Sequence, residues 1–158
     1  GRDAPPPKWQ GFLGRYPGLS HRLEFIREAR GARFYNDSKA TTPTAALTAL
    51  ASFSGGVVLV AGGRNKGADL DAFGGQVARR ARLLVATGEC GGHLWEAAMR
   101  HGMRDAVWRK DFADAIRTAA EAARPGEVVL LSPGCASFDQ FVNYEERGNT
   151  FKAIVKAL

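Results

Sequence analysis

The sequence predicts an α/β fold: a Rossmann-like, open, mostly parallel sheet with helices on both faces, built as a single domain, with an antiparallel edge strand supplied by an N-terminal hairpin. Three observations carry this expectation. Val57-Val58-Leu59-Val60-Ala61 and Val128-Val129-Leu130-Leu131 are unbroken apolar runs rich in β-branched residues, the pattern of strands covered on both faces. Between and around them, short apolar runs alternate with amphipathic stretches at a cadence that suits right-handed crossovers. The length, 158 residues of which 45% are hydrophobic, suits one compact domain that needs neither a disulfide nor a metal to hold it.

Residues 1–17 stand apart from the rest. Pro5-Pro6-Pro7 is followed by Trp9, Phe12, Leu13 and Tyr16 on one face of a short helix that Gly11 and Gly14 weaken. This segment reads as a linker or a remnant of a preceding domain, and residues 18–158 as the domain proper. Leu23 and Phe25, a polar corner from Glu28 to Gly31, and Arg33-Phe34-Tyr35 then predict a hairpin. Thr42 before Pro43 is a helix start, with a capping hydroxyl ahead of a proline at the first helical position. Ala46, Leu47, Leu50 and Phe53 line one face of that helix, and Gly55-Gly56 stops it.

The first buried strand runs directly into Gly62-Gly63-Arg64-Asn65-Lys66-Gly67, after which Asp69 and Asp71 read as first-turn carboxylates offsetting a helix dipole. Arg82-Leu83-Leu84-Val85-Ala86 leads through Thr87-Gly88 to a helix near Leu94 to His101. Ala106-Val107-Trp108 leads to a helix from Asp111 to about Ala123, with Trp108 and Phe112 expected in the core. The last strand, Val128 to Leu131, opens onto Ser132-Pro133-Gly134-Cys135-Ala136-Ser137 before a final helix through Leu158.

Lys and Arg outnumber Asp and Glu by 22 to 16, which gives a net charge of +6 and a pI near 9.7. That balance favours anionic ligands in general. The basic residues are scattered, and no RNA-binding aromatic motif or finger spacing accompanies them, so nucleic acid is not expected as a partner. No window approaches 18 uncharged apolar residues, so no membrane partner is expected either. Cys90 and Cys135 lie far apart with no secretory segment before them; both read as free thiols in a reducing, cytoplasmic compartment. The start, without Met or an apolar signal core, reads as cut. Cys90-x-x-His93 has ligand-like spacing but no second pair, so no metal site is expected.

In open α/β sheets ligands bind beyond the carboxyl ends of the strands. Three loops there are unusual. One carries Asp37, Ser38, Lys39, Thr41 and Thr42; a second carries Gly62, Gly63 and Lys66; a third carries Ser132, Gly134 and Ser137. Each joins hydroxyls or free backbone N–H groups to small side chains, which lets an anion approach closely. A helix N-terminus favours an anion by about 0.3 to 1 kcal/mol, and a charge-assisted hydrogen bond nets roughly 1.5 to 3 kcal/mol. Glycine and serine after buried strands are also ordinary turn chemistry, and a loop lysine is often merely solvated; the expectation that three such loops meet is what favours a site. The sequence holds no G-x-x-x-x-G-K-[ST] loop, no G-x-G-x-x-G and no G-x-S-x-G.

At these same loops the chain resembles the C-terminal domain of the Mur ligases. The resemblance rests on Gly18-Leu19-Ser20-His21-Arg22-Leu23-Glu24, Asn36-Asp37-Ser38-Lys39-Ala40-Thr41, Gly62-Gly63-x-x-Lys66-Gly67-Ala68-Asp69, Ser132-Pro133-Gly134-Cys135-Ala136-Ser137-Phe138-Asp139-Gln140-Phe141 and Glu146-Arg147-Gly148-Asn149-x-Phe151. Asp139-Gln140-Phe141 is similar to the D-glutamate-adding branch more than to the diaminopimelate- or lysine-adding one. Asn65 and Thr42 replace residues more usual there, Gly134 stands where alanine is common, and Tyr144 replaces phenylalanine.

The resemblance implies an ATP-dependent amide ligase of peptidoglycan synthesis that phosphorylates the alanyl carboxylate of UDP-N-acetylmuramoyl-L-alanine and lets the D-glutamate amine attack. It further implies a monomer of three domains, with ATP and Mg2+ bound mainly by a central domain that this chain does not match. By the same resemblance Thr41 and Lys66 bind the carboxylates of D-glutamate, helped by the Ser137 hydroxyl and the backbone N–H of Tyr144. Arg22 and Asp37 match nucleotide contacts, and Lys39 a lysine close to the transferred phosphate, a catalytic position. The alternative reading for Arg22 and Asp37 is a surface ion pair. Alternatives for the whole chain are a folylpolyglutamate-type or other Mur-type ligase domain, or a non-catalytic nucleotide- or partner-binding module.

Overall fold

The computed structural model describes residues 19–158. The aromatic stripe from Trp9 to Tyr16 and the boundary expected after residue 17 lie outside the described residues. Within them, β1 (Glu24–Ala29) and β2 (Ala32–Asn36) form the expected hairpin, and α1 spans Pro43–Ala51. There follow β3 (Val57–Gly62), α2 (Leu70–Arg80), β4 (Leu83–Thr87), α3 (Gly91–Arg100), β5 (Ala106–Trp108), α4 (Phe112–Ala122), β6 (Val128–Leu131) and α5 (Tyr144–Lys156).

The strands form one sheet in the order β1-β2-β6-β3-β4-β5. β1 is antiparallel to β2, and every other neighbouring pair is parallel. Side chains alternate across this sheet with period two, so each strand feeds two cores. Val58, Val60, Val85, Val129, Leu131 and Phe34 face α4 and α5, where they meet Phe112, Ile116, Phe151 and Val155. Val57, Leu59, Ala61, Leu84, Ala86 and Leu130 face the other way, against Leu50, Phe73, Val77 and Leu94 of α1, α2 and α3. The expected sandwich of helices on both faces is therefore present, and it explains why β3 and β6 read as continuous apolar runs.

The start of α1 is as the sequence predicts: the Thr42 hydroxyl accepts from Ala45 N (3.2 Å) with Pro43 at the first helical position. Its end differs. The helix closes on Ser52, ahead of Gly55-Gly56, and Phe53 lies beyond it. Asp69 proves to be the N-cap of α2, accepting from Ala72 N at 3.0 Å, while Asp71 occupies the first turn and contacts Arg100 of α3 and His101 at its C-cap. Phe112 is buried as expected, but Trp108 is 46% exposed. The reason is topological: β5 is an edge strand, and the outward indole lies over Gly91 and Gly92 at the start of α3.

One ion pair closes the amino-terminal edge of the sheet. Arg82 Nη2 donates to Glu127 Oε1 (2.9 Å) and to the Ala122 carbonyl (2.9 Å), and its Nε donates to Glu127 Oε2. Burial alone would raise the Glu127 carboxyl, but the Arg82 contacts and the Arg124 N–H outweigh it and hold it below the usual glutamate range. Glu127→Gln is therefore expected to lower the unfolding free energy by about 1.5 to 3 kcal/mol at neutral pH, the worth of charge-assisted hydrogen bonds. Because the folded-state value is depressed, this stabilisation is present above the ordinary glutamate value near about 4.3 and is lost as pH falls through the folded value. Urea unfolding of both proteins across that range should show the difference shrinking on acidification.

Candidate functional site

Parallel strands send their carboxyl ends to one edge, so the loops leaving β2, β6, β3, β4 and β5 share it. Since β6 lies between β2 and β3, its loop becomes the middle one of the three singled out by sequence. Backbone hydrogen bonds join them. Gly134 N donates to the Ala40 carbonyl (2.9 Å), Gly62 N to the Pro133 carbonyl (2.9 Å), and Arg64 and Ala136 exchange a pair of bonds at 2.9 and 3.0 Å. The expectation that the loops meet on one sheet edge is thus fulfilled in their backbones.

A buried guanidinium ties this arrangement to α5. Arg147 is 2% exposed. Its Nε donates to Ser38 Oγ (2.9 Å), its Nη2 to the Ser38 carbonyl (2.7 Å) and its Nη1 to the Cys135 carbonyl (3.0 Å). Ser38 Oγ in turn donates to the Tyr144 carbonyl at 2.7 Å. One side chain therefore fixes the first loop, the middle loop and the start of α5 relative to one another. Burial pulls the guanidinium down to about 10, which leaves it charged at neutral pH.

Beneath the first loop lies a second polar cluster. Asn36 Oδ1 accepts from Ser38 N (3.1 Å), so its amide nitrogen faces His21 Nδ1 (2.9 Å) and Glu24 Oε1 (3.1 Å). An amide nitrogen only donates, so His21 accepts at Nδ1 and is neutral. Burial, helped by Lys152, keeps it so by lowering its pKa.

The sequence-predicted residues are placed as follows. Lys66 is exposed on the loop after β3, its Nζ 5.3 Å from the centroid of the Phe138 ring on the middle loop. Ser137 is buried at the root of that middle loop, and Thr41 is half-buried just before the cap of α1. Tyr144 is the first residue of α5, where a backbone N–H has no partner within the helix. Asn143 caps that helix by accepting from Glu146 N, and the exposed Glu145 and Glu146 share the first turn. Lys39 is exposed, with its backbone N–H on the His21 carbonyl (2.9 Å). Arg22 is exposed in a turn whose flanking residues, His21 and Leu23, have φ of 66° and 41°.

Asp37 differs from its surface ion-pair reading. It is 5% exposed, accepting from Ser132 Oγ at 2.7 Å and from Leu23 N at 3.0 Å. Burial raises its carboxyl above the usual aspartate range, against those two hydrogen bonds and the weaker pull of Arg22. It therefore holds the Arg22 turn against the end of β6 while keeping lone pairs free.

Sequence reasoning passed over Arg147, quoted only within a motif, and missed the part of Asn65. Asn65 accepts from Ala68 N and donates to the Ala68 carbonyl, both at 3.0 Å, and so closes the loop that displays Lys66. An Asn ahead of a glycine-containing turn was a readable signal for that closure. Arg22, Lys39 and Lys66 are exposed at this edge, as are Arg64, paired with Glu89 at 3.2 Å, and Arg109 and Lys110 after β5, and such a concentration of cations suits an anionic ligand. Among the described residues no group of three or more His, Cys, Asp or Glu side chains is placed to hold a metal ion.

The family described as "Mur ligase, glutamate ligase domain" matches residues 21–135. The UDP-N-acetylmuramoylalanine–D-glutamate ligase of Pelotomaculum thermopropionicum is 47% identical over 148 residues, covering 94% of this chain and 32% of that protein. The enzyme of the same name from Desulfatibacillum aliphaticivorans is 46% identical over 149 residues, covering 94% and 33%. The chain thus spans about a third of the length of these relatives. Among solved structures, the UDP-N-acetylmuramate–alanine ligase of Thermotoga maritima superposes with a TM-score of 0.63 at 14% identity, over 92% of this chain and 32% of that one. The bifunctional folylpolyglutamate synthase/dihydrofolate synthase of Yersinia pestis does so with 0.62 at 19% identity, over 98% and 35%. Both likenesses speak to the fold.

Proposed function

The chain belongs to the Mur ligases through their glutamate ligase domain, and from that premise we propose that it is the amino-acid-binding C-terminal domain of a cytoplasmic, ATP-dependent ligase joining D-glutamate to UDP-N-acetylmuramoyl-L-alanine. The observation that carries this reading is the meeting of the loops after β2, β6 and β3, which brings the segments holding Thr41, Ser137 and Lys66 to one sheet edge. The two D-glutamate ligases similar to it at 47% and 46% identity favour that amino acid over the folate-type alternative.

In this proposal Lys66 and Thr41 grip the two carboxylates of D-glutamate, with the Ser137 hydroxyl and the Tyr144 N–H completing the cradle. The grip leaves the amine free to attack an acyl phosphate formed from the alanyl carboxylate and the γ-phosphate of ATP. Arg22 and Lys39 suit the phosphates of that nucleotide, and the spare lone pairs of Asp37 suit a ribose hydroxyl. In this reading ATP and its Mg2+ are held mainly by the central domain of the ligase, which this chain does not match. The chain's own contribution is orientation and exclusion of water, which would otherwise hydrolyse the acyl phosphate. Without a phosphate loop, the chain alone is expected to show no turnover.

Lys66→Ala in the complete ligase tests the pocket. The apparent affinity for D-glutamate should fall roughly 10- to 150-fold, since a charge-assisted bond of about 1.5 to 3 kcal/mol is removed. Retention of affinity within twofold would sink the assignment. A parallel assay with L-glutamate separates this reading from the folate-type one, which needs the opposite hand.

A further inference from the structure

Cys90 and Cys135 are the two cysteines of the chain, and although 45 residues separate them their sulfurs lie 3.4 Å apart. Neither thiol has a part in the proposed chemistry. Cys90 leaves β4 and caps α3, with its N–H on the Gly63 carbonyl (2.8 Å); Cys135 leaves β6, with its carbonyl held by Arg147. The pair therefore bridges the loops on either side of the Gly62-Gly63 turn. We propose that Cys90 and Cys135 form a redox-active dithiol that closes into an intramolecular disulfide when the protein meets hydrogen peroxide.

The geometry supports each step. The sulfurs already touch, and forming a bond of about 2.05 Å asks them to approach by only about 1.4 Å. Cys90 stands at the N-terminus of α3, where the helix dipole favours a thiolate, and no side-chain hydrogen bond takes up the cap position. Either sulfur can donate in the contact they share; with Cys135 donating, that bond lowers the Cys90 thiol, while the same bond and burial raise the Cys135 thiol. Its place at the helix N-terminus makes Cys90 the attacking sulfur. It borders the exposed Glu89 and retains 5% exposure, against 2% for Cys135.

In the first step the Cys90 thiolate attacks one peroxide oxygen; a sulfur–oxygen bond forms, the O–O bond breaks, and the leaving hydroxide takes up a proton as water. In the second, Cys135 gives up its proton and attacks the Cys90 sulfenic sulfur; the S–S bond forms, the S–O bond breaks, and a second water leaves. Two thiols are oxidised and one peroxide is reduced to two waters. The product ties the loop after β4 to the middle loop two residues before Ser137, so oxidation would restrict the site edge.

The test needs no assumption about the ligand. The folded chain is treated with stoichiometric hydrogen peroxide, then denatured, titrated with Ellman's reagent and weighed by mass spectrometry. The expected result is loss of both titratable thiols, a mass lower by two hydrogens, a monomer on a non-reducing gel, and recovery of both thiols with dithiothreitol. Cys90→Ser and Cys135→Ser should each lack the loss of two hydrogens. Thiols that stay reactive, oxygen adducts in place of the hydrogen loss, or disulfide-linked dimers would each overturn the proposal.

Discussion

Arg147→Met is expected to lower the unfolding free energy of the chain by roughly 3 to 5 kcal/mol, the combined cost of leaving several buried acceptors without donors. The loss has a specific origin. Methionine retains the aliphatic stem but leaves the Ser38 carbonyl, the Ser38 hydroxyl and the Cys135 carbonyl without the donors they now share. Each buried group deprived of its partner costs about 1 to 3 kcal/mol, part of which relaxation recovers. Arg147→Lys should fall between, because an ammonium keeps the charge but cannot span three acceptors as a planar fork does. Urea unfolding of the three proteins checks the order. A methionine variant within 1 kcal/mol of the parent would show that the loops hold their arrangement without the guanidinium.

Gly62→Ala is expected to be nearly as damaging, at roughly 3 to 5 kcal/mol, by combining backbone strain with overpacking. Gly62 has φ of +125°, and a Cβ built on it would stand 2.0 Å from the carbonyl oxygen of Thr87, its parallel partner on β4. That oxygen is backbone, so no rotamer change relieves the clash; β3 and β4 must part where the loops begin. Gly55→Ala provides the contrast, since nothing lies within 4 Å of its added Cβ and the residue is exposed. It should change stability by no more than about 0.5 kcal/mol in the same urea titration.

How much of this was legible depended on whether a residue's neighbours lie near it in sequence. The runs at β3 and β6 and the Thr42-Pro43 helix start are local patterns, and they appear where the sequence places them. The insertion of β6 between β2 and β3 has no local signature, so the expectation that three loops meet rested on the general rule for open sheets. Trp108 was misplaced because three apolar letters do not distinguish an edge strand from a central one. Arg147 and Asp37 were opaque for a related reason: a charged letter is written alike whether it meets water or carbonyls, and burial comes from the packing of distant segments. Thr41, Lys66 and Ser137 were named through resemblance, with loop chemistry in agreement but unable to rank them alone.

The central position of β6 bears on how the protein comes into being. A ribosome makes the strands in order, so until Leu131 has emerged β2 and β3 both lack the strand that lies between them in the finished sheet, and each leaves an edge without its partner. Cooperative closure is deferred almost to the end of translation of this domain, and the clamp from α5 comes later still. Premature termination shortly before residue 128 would therefore release fragments with adhesive edges, the natural clients of chaperones.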